Sequence, residues 1–355
     1  MSKLRPIAIY LPQFHPFAEN DEWWGKGFTE WTNVTKTVPR FKGHYQPHLP
    51  ADMGFYDLRV HQALISQAEL AKQYGIYGFC FYHYWFNGKR LLERPLEDML
   101  AKGTPDFPFC LCWANENWTR RWDGLEQEVL MKQDYSEEDD RRHINFLARY
   151  FRDPRYIRVD GKPVFIVYRP KLFPDIRRTA ETWREECRKN GVGEIYLMYM
   201  QSFSDRRDPA ELGFDAAVEF QPDFSFLPQP VRPQRSLWSR LAGAKATGDN
   251  IFLYKDVVRE MLRKPAVAFK RYPGIFPSWD NSPRRSTGAT IIHDSTPGEY
   301  GKWLRHIIAG FKPYSVDENF IFINAWNEWA EGNHLEPCRK WGRAYLEETQ
   351  KALTA

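Results

Sequence analysis

Eight short apolar runs, separated by amphipathic or polar stretches, constrain this chain more than any other feature of its sequence. They are Ile7–Gln13, Gly75–Trp85, Phe107–Glu116, Lys162–Pro170, Glu194–Gln201, Asp215–Pro222, Tyr272–Asp280 and Phe320–Trp329. Each is nearly continuous in apolar residues instead of alternating, the pattern of a strand covered on both faces. Helical periodicity falls between them, in Leu58–Tyr74, Ser136–Phe151, Ile176–Asn190 and Gly301–Ile308. Strand–helix alternation with this count predicts an α/β fold of the (β/α)8 TIM-barrel type, with long elaborated βα loops. We expect residues 1–355 to form a single catalytic barrel, with 223–270 a long loop insertion between the sixth and seventh strands.

Composition removes several alternatives. With 50 Lys+Arg against 46 Asp+Glu the net charge is +4, too balanced for a dedicated nucleic-acid binder. The 43% hydrophobic content supports a packed core, and no apolar run approaches the roughly 18 residues of a membrane span. The opening Met1–Pro6 leads straight into a strand without the apolar segment of a secretory signal. Five scattered cysteines, Cys80, Cys110, Cys112, Cys187 and Cys338, form no disulfide framework, so a reducing, cytoplasmic home is expected. His44 and His48 stand four apart, but Pro47 keeps them off one helical face and no Cys-x-x-Cys assists; we expect no metal and no cofactor. The cations of Arg232–Lys245 and Arg259–Arg271 read as solvated faces, with peripheral association at an anionic membrane kept open.

In a barrel of this type the site is built from the segments that follow the strands. The last run closes in Asn324-Ala325-Trp326-Asn327-Glu328-Trp329-Ala330-Glu331-Gly332. Glu328 and Glu331 are three apart, on opposite faces of a straight strand; they meet one ligand only if the chain turns after Trp329, which Gly332 favours. Paired carboxylates serve glycosidic chemistry, one donating a proton and the other handling the emerging charge. On spacing alone, a capping or surface role for the two glutamates is equally expected. Cys112–Trp118 repeats the mixture of indoles and polar groups, and Phe81–Trp85 and Tyr10–His15 echo it. A single residue such as His83 is more often a satisfied interior histidine, but the recurrence at four strand ends favours a sugar site. From position we infer Tyr10, Trp31, His83, Tyr84, Trp113, Asn115, Glu116, Trp118, Trp326 and Asn327 as substrate-binding, and an oligosaccharide or polysaccharide as substrate.

Gly27–Val34, Gly43–Pro50, Gly54–Asp57, Phe79–Trp85, Trp113–Trp118 and Asn327–Pro337 together resemble the bacterial WbsX-type polysaccharide biosynthesis proteins, over most of the chain. That family is in turn similar to glycoside hydrolase family 99, retaining endo-α-mannosidases and mannanases whose last strand ends Asn-Glu-Trp-His-Glu-Gly. The resemblance implies that Glu328 deprotonates the sugar 2-hydroxyl, which attacks C1 to give a 1,2-anhydro sugar. It implies that Glu331 protonates the departing oxygen and later activates the acceptor. Ala330 replaces the histidine of the hydrolases. The implied activity is cleavage or transfer of α-linked glycosidic bonds of a bacterial surface polysaccharide. Two rivals are a nucleotide-sugar-dependent glycosyltransferase, for which neither an Asp-x-Asp motif nor a glycine-rich phosphate loop is found, and a non-catalytic glycan-binding protein.

Overall fold

The computed structural model describes residues 4–120, 125–232 and 248–354. Its centre is a ring of eight parallel staves: β1 (Arg5–Tyr10), β2 (Gly78–Phe86), β3 (Phe109–Trp113), β4 (Lys162–Val167), β5 (Tyr196–Gln201), β6 (Ala216–Glu219), β7 (in two pieces, Arg271–Tyr272 and Gly274–Ile275) and β8 (Phe320–Ile323). β1 pairs with β2 on one side and β8 on the other. The ring closes at β7, whose first piece pairs with β6 and whose second pairs with β8. Pro273 divides it: a proline has no N–H to give to the ladder, while its carbonyl still accepts from the Phe322 N–H at 2.9 Å.

Nine helices are described between and beside the staves, and some of them start at a side-chain cap. They are α1 (Ala18–Trp24), α2 (Glu30–Lys36), α3 (His61–Gln73), α4 (Arg94–Lys102), α5 (Glu137–Phe151), α6 (Ile176–Lys189), α7 (Tyr254–Leu262), α8 (Pro297–Gly310) and α9 (Ala344–Thr354). The Ser136 hydroxyl accepts from the Asp139 N–H at the head of α5, whose first turn is wholly acidic. This satisfies an orphan donor and complements the helix dipole. Asp175 caps α6 in the same way. Between β5 and β6 the alternation lapses, and a 3-10 turn, Pro209–Leu212, takes the place of a helix.

Two expected strands end earlier than their apolar runs. Trp279–Asp280 leaves the barrel and pairs antiparallel with Thr290–His293, in a separate three-stranded sheet completed by Asn250–Leu253. β8 stops at Ile323, and Asn327–Glu328 instead forms a hairpin with Asn333–His334. Both departures put chain ends above the staves, where the loops gather. The basic stretch Arg232–Lys245 lies, after Arg232, outside the described residues. Among the cations of Arg259–Arg271, Arg259, Arg263 and Lys270 are exposed, as a solvated face requires, and Lys264 and Arg271 depart from it. Lys264 is buried between Glu219 and Asp223, at 2.5 and 2.7 Å; Arg259, Arg263, Lys270 and Arg271 each have an acidic partner within 4.0 Å. All five cysteines are free and buried. No described helix is long and apolar enough to cross a membrane.

Candidate active site

Side-chain parity along the staves decides what faces the barrel axis. On β2 the even residues Tyr82, Tyr84 and Phe86 turn inward, and the odd residues His83 and Trp85 turn toward α5. Past the strand ends the same inward rows continue as Leu11 and Gln13, Ala114 and Glu116, then Asn324 and Glu328. They line a cavity of about 410 Å³ at the C-terminal ends of the staves, with Trp118, Tyr168, Phe203, Phe220, Phe224, Trp279, Asn281, Arg284, Arg285 and Glu331 around it. This is where barrels of this type carry chemistry, and its mixture of rings and charges suits a hydroxyl-rich ligand.

Of the residues anticipated from sequence, Tyr84, Glu116, Trp118, Glu328 and Glu331 line this cavity. The others do not, and most stand one step out of phase. Tyr10 turns to the helix layer and donates to Gln67 at 2.7 Å. The His83 ring lies 2.9 Å from His143 of α5, buried and neutral, with burial and then Arg90 pushing its pKa down to about 3. Trp113 is wedged among His143, Phe173 and Trp183. Asn115 binds Tyr135 and the Arg169 backbone. Trp31 packs under the loops against Phe14 and Trp329, its indole N–H donating to the Tyr56 carbonyl at 2.9 Å. These residues do not line the cavity; they stand behind its wall.

Two residues of the last run hold the site together without entering it. The Asn327 amide bonds both the N–H and the carbonyl of Leu11, at 2.7 and 3.0 Å, clipping the end of β1 to the hairpin after β8. The Trp326 and Trp329 indoles donate to Glu336 at 2.9 and 2.6 Å, and Gln67 and Tyr56 complete its shell at 2.6 and 2.9 Å. Burial pushes Glu336 up to about 7 in spite of those four donors.

The chain does turn after Glu328. Trp329–Glu331 is a single 3-10 turn and Gly332 adopts φ +56°, a left-handed conformation that glycine takes without penalty. The turn swings Glu331 onto the face of Glu328, and both carboxylates bind one guanidinium: Arg284 Nη2 is 3.0 Å from Glu328 and Nη1 is 2.7 Å from Glu331. Glu30, the first residue of α2, joins from the other side at 3.2 Å. Ala330, between the glutamates, is buried in the core.

The electrostatics follow from that geometry. Glu328 is buried, and burial raises its carboxyl far above the ordinary range; Arg284 opposes this, and Glu331 and Glu30 add to it. Glu331, whose side chain is 21% exposed to the cavity, is raised for the same leading reason. Arg284 is held charged because its three carboxylates outweigh the cost of burying it. Across the cavity Glu116 is paired with Arg169, whose guanidinium lies 3.8 Å over the Phe203 ring. Phe203 itself is 50% exposed and sits at φ +50°, unusual for a bulky residue and a common mark of a working surface.

Arg284 and Glu30 were not anticipated from sequence. The available signal was indirect: two buried carboxylates side by side demand a counter-cation, and the loop after the seventh run offers Arg284-Arg285. Among the described residues no group of histidine, cysteine and carboxylate side chains is arranged to hold a metal. His44 is instead bound to Asp280 at 2.7 Å and His48 to His334 at 3.0 Å.

Fold and cavity together define an α/β barrel with a ring-lined, charged cavity at the C-terminal ends of its staves. The profile of the family described as Glycosyltransferase WbsX matches residues 6–349, and the chain belongs to that family. Two relatives, each an "Uncharacterized protein WxcX" from strains of Xanthomonas campestris pv. campestris, are 49% identical over 349 residues. The match takes in 98% of this chain but 49% of each relative, so the chain spans about half the length of the curated relatives it matches. Among solved structures, a glycoside hydrolase-like protein superposes with a TM-score of 0.63 at 15% identity, over 99% of this chain and 94% of that one. The family 99 endo-alpha-mannosidase from Bacteroides thetaiotaomicron superposes with a TM-score of 0.55, also at 15% identity, over 99% and 96%. At such identities the likeness is one of fold.

Proposed function

We propose that this chain makes or breaks α-linked glycosidic bonds in a bacterial surface polysaccharide, with Glu328 and Glu331 as its acid/base pair. The observation that carries this reading is the convergence of both carboxylates on Arg284 at the floor of an aromatic-walled cavity. Two glutamates that close together cannot both ionise cheaply in a buried site, so the pair retains a proton at neutral pH. A pair holding one proton has what glycosyl transfer needs. One member delivers a proton to the departing oxygen; the other accepts one from an attacking hydroxyl. In the scheme implied by the family 99 resemblance, Glu328 takes the proton of the sugar 2-hydroxyl and Glu331 serves the departing and incoming oxygens through a 1,2-anhydro sugar. Tyr84, Trp118 and Phe203 line the cavity, and rings of this kind suit the apolar faces of a sugar. Ala330 leaves no imidazole where the mannosidases carry one, so the sugar accepted need not be mannose.

A second reading, transfer from an activated sugar donor, is supported by the description of the family as glycosyltransferases. Both readings are tested together. Purified protein is incubated with surface-polysaccharide oligosaccharides, with and without nucleotide-sugar donors, and products are followed by mass spectrometry. Product without donor supports the first reading; product only with donor supports the second. Glu328→Gln and Glu331→Gln are each expected to lower turnover by about 10² or more, the usual contribution of a positioned acid or base. Unchanged turnover in either variant removes that residue from the reaction.

A further inference from the structure

We propose that Glu30 is a positioning residue of the active site: through Arg284 it completes a ring of three carboxylates around one guanidinium, and its negative charge keeps the Glu328/Glu331 pair protonated. The assignment rests on the reading of that pair as the acid/base machinery. The geometry is unusual for a structural ion pair. Arg284 carries one positive charge and meets three carboxylates, Glu30 at 3.2 Å, Glu328 at 3.0 Å and Glu331 at 2.7 Å. Two of these partners are buried, Glu30 at 1% exposure and Glu328 at 6%. Against Arg284 alone, full ionisation would leave two uncompensated negative charges there, and one with Arg285 counted beside Glu331, a cost that proteins avoid by binding a proton.

Glu30 commits one oxygen to Arg284, and its second, Oε1, is buried with no hydrogen-bond partner among the described residues. An arginine strut would need only one of these acids; the added negative charge acts on the other two. The groups that face the ring from other elements supply only part of the missing positive charge. Tyr82 and Tyr84 of β2, and Tyr168 beyond β4, are phenols whose own ionisation is pushed up by burial. Arg285 is the second cation near Glu331, and Glu116 on the far wall is already paired with Arg169. Glu30 therefore biases the pair toward the proton-holding state before any substrate arrives. It does so from α2, an element that contributes no wall to the cavity.

The test is a carboxyl-carbon NMR titration of the resting full chain labelled at glutamate, with the pair's resonances assigned from Glu328→Gln and Glu331→Gln. In the wild type a pair carboxyl is expected to titrate above pH 6. Glu30→Gln keeps an acceptor for Arg284 but removes the charge, and is expected to lower that midpoint by about one pH unit, the scale of a close like charge. Glu30→Asp, which keeps the charge, should hold it near the wild-type value. An unchanged midpoint in folded Glu30→Gln would reduce Glu30 to a strut. Absence of any pair carboxyl titrating above pH 6 in the wild type overturns the proposal without a variant. The measurement uses no substrate, so a failed activity assay would count against the acid/base reading and leave the titration result standing.

Discussion

Arg284 shows how much a single buried charge decides here. Its guanidinium lies within 3.2 Å of three acids, so removing it strands carboxylates out of water. Breaking a buried pair in this way typically costs about 3–5 kcal/mol. Arg284→Met, which keeps much of the stem volume, is therefore expected to lose about 3 kcal/mol of unfolding free energy at pH 8. The sign of its pH dependence is fixed by protonation. With the cation gone Glu328 and Glu331 are raised further, the folded state binds protons that the unfolded chain releases, and stability returns as pH falls. Denaturant unfolding at pH 8 and pH 5 should show a deficit that shrinks by at least half at the lower pH. A deficit that is equal at both would mean that Arg284 contributes packing and not charge.

The turn from β8 into the site is an element whose shape is set by two features pulling in the same direction. Trp326 and Trp329 are anchored behind it on Glu336, and Gly332 lets the chain reverse in front. A Cβ at Gly332 would lie 3.0 Å from the Cβ of Asp280, in a backbone conformation that alanine resists. Gly332→Ala is expected to cost about 1–2 kcal/mol and to reduce turnover more than binding, because the strain falls on the bond next to Glu331. Thermal melts and a comparison of kcat with KM would check both. The same element marks what was legible beforehand. The spacing of Glu328, Glu331 and Gly332 posed the reversal after Trp329 as the condition for a shared site without deciding it, and the eight staves followed from their continuous apolar runs. Those runs also conceal which face each residue takes: a strand buried on both sides lacks the alternation that would reveal it. Tyr10, His83 and Trp113 were therefore read as cavity residues although they stand on the outer row. One fixed inward residue, Glu328, would have placed Asn324 correctly by parity but not Trp326, which shares that parity and yet turns away to Glu336 once β8 has ended at Ile323. No local pattern links Glu30 with Arg284, 254 positions apart; only the closed barrel brings them together.

At the scale of the whole molecule, two populations of buried titratable groups oppose each other. Burial lowers His15 and His48 to about 4 and His83 to about 3, and takes His143 and His334 well below their ordinary value. These rings are neutral in the fold, so the stability they contribute is present above about pH 6.5 and is lost as pH falls and the unfolded chain takes up protons. Glu328 and Glu331 are raised, Asp140 is lifted by burial to about 6 and Glu336 to about 7. Such carboxyls work the other way. Their contribution is complete below about pH 4.5 and is lost as pH rises through the folded value. Between about pH 4.5 and 6 the two sets nearly cancel. Above 6.5 the histidines have no further effect, and the glutamates alone set the slope. The thermal midpoint should therefore peak near pH 6 and decline toward pH 8, where the barrel pays for holding acids out of water at its site. Glu328→Gln removes one of those acids while keeping its hydrogen bond to Arg284. It is expected to melt higher than the wild type at pH 8 and no higher at pH 5, trading activity for stability. A wild-type midpoint that climbs steadily from pH 6 to pH 8 would show that the carboxylate ring is ionised without cost, and the chemistry assigned to it would lose its source of protons.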